Sequence, residues 1–213
     1  MRNHPGEAIA PAAADSASFI VRPAQLSDVQ PILDLINGYA AQEIMLPRNE
    51  VELCEGLRDF LVAVDGDQLL GCGALHLYTR HMAELRSLAV SSEHTRSGVG
   101  QALVRELLDQ AKEFGVDVVF VFTYVPGFFE KTGFHTIDRA SLPLKAWKDC
   151  LRCPKFTACD EIAMAYMVTP GAEIYMSHEP PDQPYVEGPL IMPKLGQPRV
   201  LDKPKPRAPK RAK

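Results

Sequence analysis

The sequence predicts an α/β fold on a mixed β-sheet, and three stretches carry that expectation. "DFLVAVDGDQLLGCGALHLYT" (59–79) reads as an apolar strand, an Asp-Gly turn and a second apolar strand, the pattern of an antiparallel hairpin. "SLAVSSEHTRSGVGQALVRELL" (87–108) closes a strand in a polar loop with glycines at 98 and 100, then passes directly into an amphipathic helix. "VDVVFVFTY" (116–124) is a continuous apolar run, as expected of a strand covered on both faces. An antiparallel hairpin in series with a strand–helix–strand crossover requires a sheet that mixes both senses.

The remaining elements follow in chain order. "FIVRPAQ" (19–25) is a short strand, and "SDVQPILDLINGYA" (27–40) a helix with Ser27 as N-cap and Val29, Ile32, Leu33, Leu35 and Ile36 on its apolar face. "NEVELCEGL" (49–57) is a second, short helix. After the hairpin, "MAELRSLAV" (82–90) is a third strand in series. The helix "GVGQALVRELLDQAKEFG" (98–115) stops at Gly115. "PGFFEKTG" (126–133) is a short helix and "EIAMAYMV" (161–168) a last strand, giving the order β-α-α-β-β-β-α-β-α-β. The folded unit is therefore expected over residues 19–168, with a flexible extension over 1–18.

From 169 to 213 the pattern changes. Residues 170–213 hold ten of the eighteen prolines and almost no periodicity, so a mostly disordered tail is expected, with "YVEGPLIM" (185–192) as a candidate clasp over the domain. The last thirteen residues carry six Lys/Arg against one Asp, so the net charge of −4 splits into +5 at the end and −9 over the rest. An acidic body argues against nucleic acid as its partner. No run of eighteen apolar residues is present, which argues against a membrane span. Five cysteines without an export signal point to a reducing, cytoplasmic setting.

The glycine loop fits two nucleotide fingerprints poorly. A Walker loop requires Lys after its last glycine, and Gln101 follows Gly100; the dinucleotide fingerprint requires a third glycine where Leu103 stands. The pair can serve a tight turn alone. Its other use is as an anion nest, in which backbone N–H groups at a helix start face a phosphate, with Arg96 alongside.

"SLAVSSEHTRSGVGQALV" resembles the acetyl-coenzyme A motif of the GNAT N-acetyltransferase superfamily, whose loop reads Gln/Arg-x-x-Gly-x-Gly/Ala. The match falls on Thr95-Arg96-Ser97-Gly98-Val99-Gly100, with Thr95 in place of the usual Gln or Arg. "FFEKTGF" (128–134) resembles the second signature, with Phe129 where a Tyr usually stands. The resemblance covers residues 19–168. It implies a GNAT fold, a mixed central sheet with a splayed strand pair flanked by helices. The cofactor it implies is acetyl-CoA as co-substrate, with no metal required. Backbone groups of Leu88, Ala89 and Val90 would hold the pantetheine arm and polarise the thioester carbonyl. Arg96, Ser97, Gly98, Val99, Gly100 and Gln101 would hold the pyrophosphate. A deprotonated amine would then attack the thioester directly.

"MLPRNEVEL" (45–53), "FTYVPGFFEKTGF" (122–134) and "LPLKAWKDCLRCPKFTACDEIAMAYMV" (142–168) resemble the short bacterial N-acetylglutamate synthases, the GNAT-only enzymes of arginine biosynthesis. That resemblance implies transfer to the α-amine of L-glutamate, with Arg48 and Arg86 as carboxylate clamps; a guanidinium fork suits that anion. Either arginine would also serve as a plain ion-pair partner. Glu84 is the candidate base and Tyr124 the candidate acid, against the alternatives of a solvated strand-end charge and a core aromatic. Cys150, Cys153 and Cys159 have ligand-like spacing, and a metal would need a fourth ligand such as Cys54, Cys72 or His135; reduced thiols are the expectation. Rival readings are another small amine or a protein lysine as acceptor, and an acyl-CoA sensor without catalysis. A homodimer is left open.

Overall fold

Alternation along one strand sets the two faces of the sheet. In β2 (Phe60–Asp65), Phe60, Val62 and Val64 turn toward α1 (Val29–Ala40) and α2 (Glu50–Glu55), where Ile32, Leu33, Ile36 and Leu53 wait. Leu61 and Ala63 turn the other way, onto Leu103, Val104, Leu107 and Leu108 of α3 (Val99–Glu113). Every one of these side chains is buried. A strand buried on both faces must be apolar throughout, which is why its run reads as continuous. Each fully hidden leucine contributes about 1.5–3 kcal/mol of transfer free energy.

This computed structural model describes residues 19–142, 150, 153, 155, 158–172 and 174, all of them within the unit Met1–Met176. The expectations for 1–18, for "YVEGPLIM" and for the basic end lie outside the described residues. Seven strands form one sheet: β1 (Ile20–Pro23), β2, β3 (Gln68–Leu77), β4 (Met82–Val90), β5 (Val118–Thr123), β6 (His135–Thr136) and β7 (Ile162–Met167). Their spatial order is β1-β2-β3-β4-β5-β7-β6. All neighbours are antiparallel except β4 and β5, which are parallel and joined by the α3 crossover. The mixed sheet with helices on both faces is the expected architecture.

The C-terminal end of α3 is held by a backbone device. Gly115 N–H donates to Lys112 O (3.0 Å) and Val116 N–H to Ala111 O (2.9 Å), the two bonds of a Schellman stop. Along its length α3 lies close to β3. A Cβ built on Gly71 would come within 3.1 Å of Val99 and 3.2 Å of Leu103, so only glycine admits the helix at that distance.

Two local expectations are corrected. Ser27 is not the cap of α1: it lies inside a 3₁₀ turn (Leu26–Asp28), and the helix starts after Asp28. Asp28 prevails because its carboxylate accepts from Gln25 N–H (2.7 Å) and from both Nη groups of Arg22 (2.7 and 3.0 Å), which no serine hydroxyl can match. The sheet also has a strand that the sequence concealed, since β6 is two residues long and has no apolar run to announce it. Beyond residue 168, Thr169 Oγ1 donates to Asp117 (2.8 Å) and Ile174 packs beside Tyr78, Phe120 and Leu142.

Candidate active site

The site begins where two parallel strands part. Pairing between β4 and β5 runs over Met82↔Val118, Ala83↔Val119 and Glu84↔Phe120 and goes no further among the described residues. From Leu85 onward the backbone edge of β4 turned toward β5 is left for another strand-like partner. A β-bulge marks the same place. The β3–β4 register shifts between Cys72 and Ala74, and Ser87 takes φ 53°, a left-handed value that is strained for a residue with a side chain. The Cys72 thiol reaches Ser87 O (3.6 Å) and Arg48 Nε donates to Ser87 Oγ (3.1 Å), fixing the bulge from two sides.

A cavity of about 700 Å³ occupies the splay. Its walls include Glu84, Arg86, Leu88, Ala89 and Val90 from β4, Tyr124 just past β5, and Arg48 from the loop before α2. Chemistry-bearing groups placed far apart in sequence therefore share one volume, large enough for an acyl thioester and a small amine. The Val90 carbonyl accepts a hydrogen bond from the Tyr39 hydroxyl (2.6 Å), so of the three β4 residues expected to meet the arm it is already engaged.

Thr95 also lines the cavity, whereas the stretch Arg96–Gln101 does not and forms the turn into α3 instead. Gly98 caps the helix at φ 89°, and Arg96 also has positive φ (66°). The first bond back along the helix is Ala102 N–H to Gly98 O (3.0 Å), so the amides of Val99, Gly100 and Gln101 precede the helical ladder. Among the described residues no side chain caps this end. The result is a positive helix start at the rim of the splay, suited to an anion. Gly100 has a second use. A Cβ there would sit 3.3 Å from the Phe128 ring, so its small size also seats α4 (Pro126–Glu130) against α3.

Arg48 is placed by its backbone. Its N–H donates to Asn37 Oδ1 and its carbonyl accepts from Asn37 Nδ2, both at 3.0 Å. That clamp to α1 brings the Pro-Arg loop over the cavity. Arg86 projects from β4 with Asp59 3.9 Å from its Nη2, and Asp59 in turn lies 2.8 Å from His76 Nδ1. Glu84 accepts from the Tyr78 hydroxyl (3.1 Å). Burial, then the nearby charges of Glu161 and Asp160, raises the Tyr124 phenol above its usual range, so it keeps its proton at any physiological pH. A Tyr held protonated can donate a hydrogen bond to a developing thiolate. Phe129 is 3% exposed and stacked edge-on against Phe128 (5.0 Å) and Phe134 (5.3 Å), so the position where a Tyr usually stands belongs to the core.

Several wall residues were not anticipated from sequence. Arg139, Lys155 and Glu161 line the cavity, and so do Cys150, Cys153 and Cys159. Arg139 donates to the Glu161 carbonyl, with its guanidinium 5.5 Å from the Phe122 centroid. Lys155 Nζ lies 5.2 Å from the Tyr124 centroid. Lone charged residues in an irregular stretch carry no periodic signal, and only folding shows that they converge. The three cysteines are free, and burial lifts the Cys150 thiol to about 11. Among the described residues no group of three or more His, Cys, Asp or Glu is placed to hold a metal ion. No helix among them is long and apolar enough to cross a membrane.

Comparison with known proteins supplies what geometry alone does not. The profile of the acetyltransferase (GNAT) family matches residues 29–134. An uncharacterized N-acetyltransferase of Chlorobaculum tepidum is 44% identical over 149 residues, which cover 70% of this chain and 96% of that protein. The amino-acid acetyltransferase of Mycobacterium tuberculosis is 32% identical over 151 residues, covering 70% of this chain and 86% of that protein. The crystal structure of N-acetylglutamate synthase from Neisseria gonorrhoeae, complexed with coenzyme A and N-acetyl-glutamate, superposes with a TM-score of 0.66 at 25% identity. That alignment spans 73% of this chain and 36% of the other. With the parted strand pair and the uncapped helix start at its rim, these likenesses lead to one conclusion: the chain belongs to the GNAT family of acetyl-CoA-dependent N-acetyltransferases.

Proposed function

We propose that this enzyme transfers the acetyl group of acetyl-CoA to the α-amine of L-glutamate, the first step of arginine biosynthesis. The observation that carries the reading is the pair Arg48 and Arg86 on the wall of the acyl cavity. Two guanidinium forks next to a thioester site favour an amine that bears carboxylates. The similarity to the M. tuberculosis amino-acid acetyltransferase and to the N. gonorrhoeae synthase supports the same class of acceptor.

In this reading the pantetheine arm lies along β4 at Leu88–Val90, its thioester carbonyl polarised by backbone groups there. The pyrophosphate rests on Arg96–Gln101. Arg48 and Arg86 orient the amino acid, and Tyr124 hydrogen-bonds the departing thiolate. The catalytic unit is residues 19–168, and the Pro-rich end is dispensable for chemistry.

The same cavity carries Glu43, Glu84 and Glu161, which would favour a cationic acceptor instead. Thiol release from acetyl-CoA separates the two. It should be stimulated by L-glutamate and little by L-lysine. Stimulation by lysine and not by glutamate would discard the glutamate reading, and release with neither would leave a CoA-binding protein.

A further inference from the structure

We propose that Glu161 is the group that takes the proton from the incoming amine, working beside Tyr124 at the edge of the sheet. The inference rests on the acetyl-transfer reading above and adds a catalytic residue to it.

Register places the two side by side. Thr123↔Ile162 is the last rung between β5 and β7, and Tyr124 and Glu161 are the next residue on each strand. Both line the acyl cavity at the end where β4 and β5 have parted. Glu84, on the opposite strand, already accepts from Tyr78. Asp160 also reaches Tyr124 but is not part of the cavity wall, whereas Glu161 stands on the wall beside it.

The groups around it suit a base. Arg139 binds its backbone carbonyl, and the Cys159 thiol lies 3.8 Å from Oε2. Burial is the strongest influence and raises the carboxyl above the usual range; Asp160 adds to that, while the Cys159 thiol, Arg139 and Lys155 oppose it. Tyr124, uncharged, and Cys150, its thiol lifted to about 11, are also among the described neighbours. A carboxylate lifted toward neutrality accepts a proton more readily than a solvated one.

The proton account closes. Glu161 takes one proton from the ammonium and passes it to solvent. The neutral amine attacks the thioester carbon, the C–N bond forms, and collapse breaks the C–S bond. The second nitrogen proton then goes to the thiolate held by the Tyr124 hydroxyl. Products are the amide, the free thiol and one released proton.

The test is kcat/KM for L-glutamate against pH in the full chain and in Glu161→Gln, with acetyl-CoA affinity measured by calorimetry. Removing a base should lower turnover by about 100-fold or more near neutral pH. The deficit should shrink as pH rises toward the amine's own pKa, because solution then does the deprotonation; a structural role would give a constant deficit. Acetyl-CoA affinity should stay unchanged. If Glu161→Gln loses that affinity, Glu161→Asp gives the same reading, a lower kcat with a deficit that again shrinks with pH. A pH-independent deficit, or turnover within about three-fold of wild type, overturns the proposal. Should the wild type acetylate L-lysine and ignore L-glutamate, the same pH comparison run on lysine tests Glu161 while the glutamate reading falls.

Discussion

Arg48→Ala is the sharpest test of how this cavity chooses its acceptor. The contacts that hold the arginine include two backbone bonds to Asn37 at 3.0 Å, and Nε to Ser87 Oγ at 3.1 Å. The alanine variant keeps the backbone pair and loses the bond to Ser87. Its cost in stability should be that of a hydrogen bond from a charged group, about 1.5–3 kcal/mol. The cost in catalysis is separate. A carboxylate left without its charge-assisted partner in a partly desolvated cavity loses about 2–4 kcal/mol, or roughly thirty- to a thousand-fold in kcat/KM for glutamate. Acetyl-CoA affinity should barely move, because the helix start at Gly98–Gln101 lies outside the cavity that Arg48 lines. Arg48→Lys should recover only part, since an ammonium restores the charge without the fork. Steady-state kinetics on both variants, with urea unfolding alongside, gives all three quantities. An Arg48→Ala enzyme that matches wild type toward glutamate would refute the clamp. Equal loss of acetyl-CoA affinity would show that the residue supports the bulge at Ser87 and not the acceptor.

Other perturbations probe the frame. Gly100→Val should overpack the Phe128 ring, which already lies 3.3 Å from a bare Cβ, and cost about 1–3 kcal/mol in urea unfolding. Phe128→Ala in the same chain should restore part of it; a Gly100→Val chain as stable as wild type would remove the contact from the account. The Arg22 pair, with Gln25 N–H, holds the Asp28 carboxyl below the usual range. Its stabilisation is therefore present above the unfolded value and lost as pH falls through the folded one. The melting temperature should drop more steeply between about pH 5 and pH 3 in wild type than in Asp28→Asn. Thiol labelling of the native protein should modify exposed Cys54 quickly and leave Cys72 untouched, since burial pushes Cys72 to about 12. Rapid labelling of both would mean that the α1 face of the sheet opens readily.

The sequence by itself determined most of the framework. Hairpin, crossover and amphipathic helices are written in spacing and in turn residues within a few positions, and local rules suffice to read them. The glycine-loop motif led to the family for the same reason, because a helix start suited to an anion needs small residues at fixed offsets. Tertiary structure decided the contents of the cavity. Arg48, Glu84, Tyr124, Arg139 and Glu161 meet only because β4 and β5 part after Glu84↔Phe120 and β7 returns beside β5. Nothing local marks Glu161 as different from any other exposed acid; its partial burial comes from side chains distant in sequence. Ser27 lost its place to Asp28 for a similar reason, since the arginine that settles the competition arrives from β1. Periodicity is a property of one segment, whereas charge, burial and proton affinity at a site are properties of the neighbours that folding assembles.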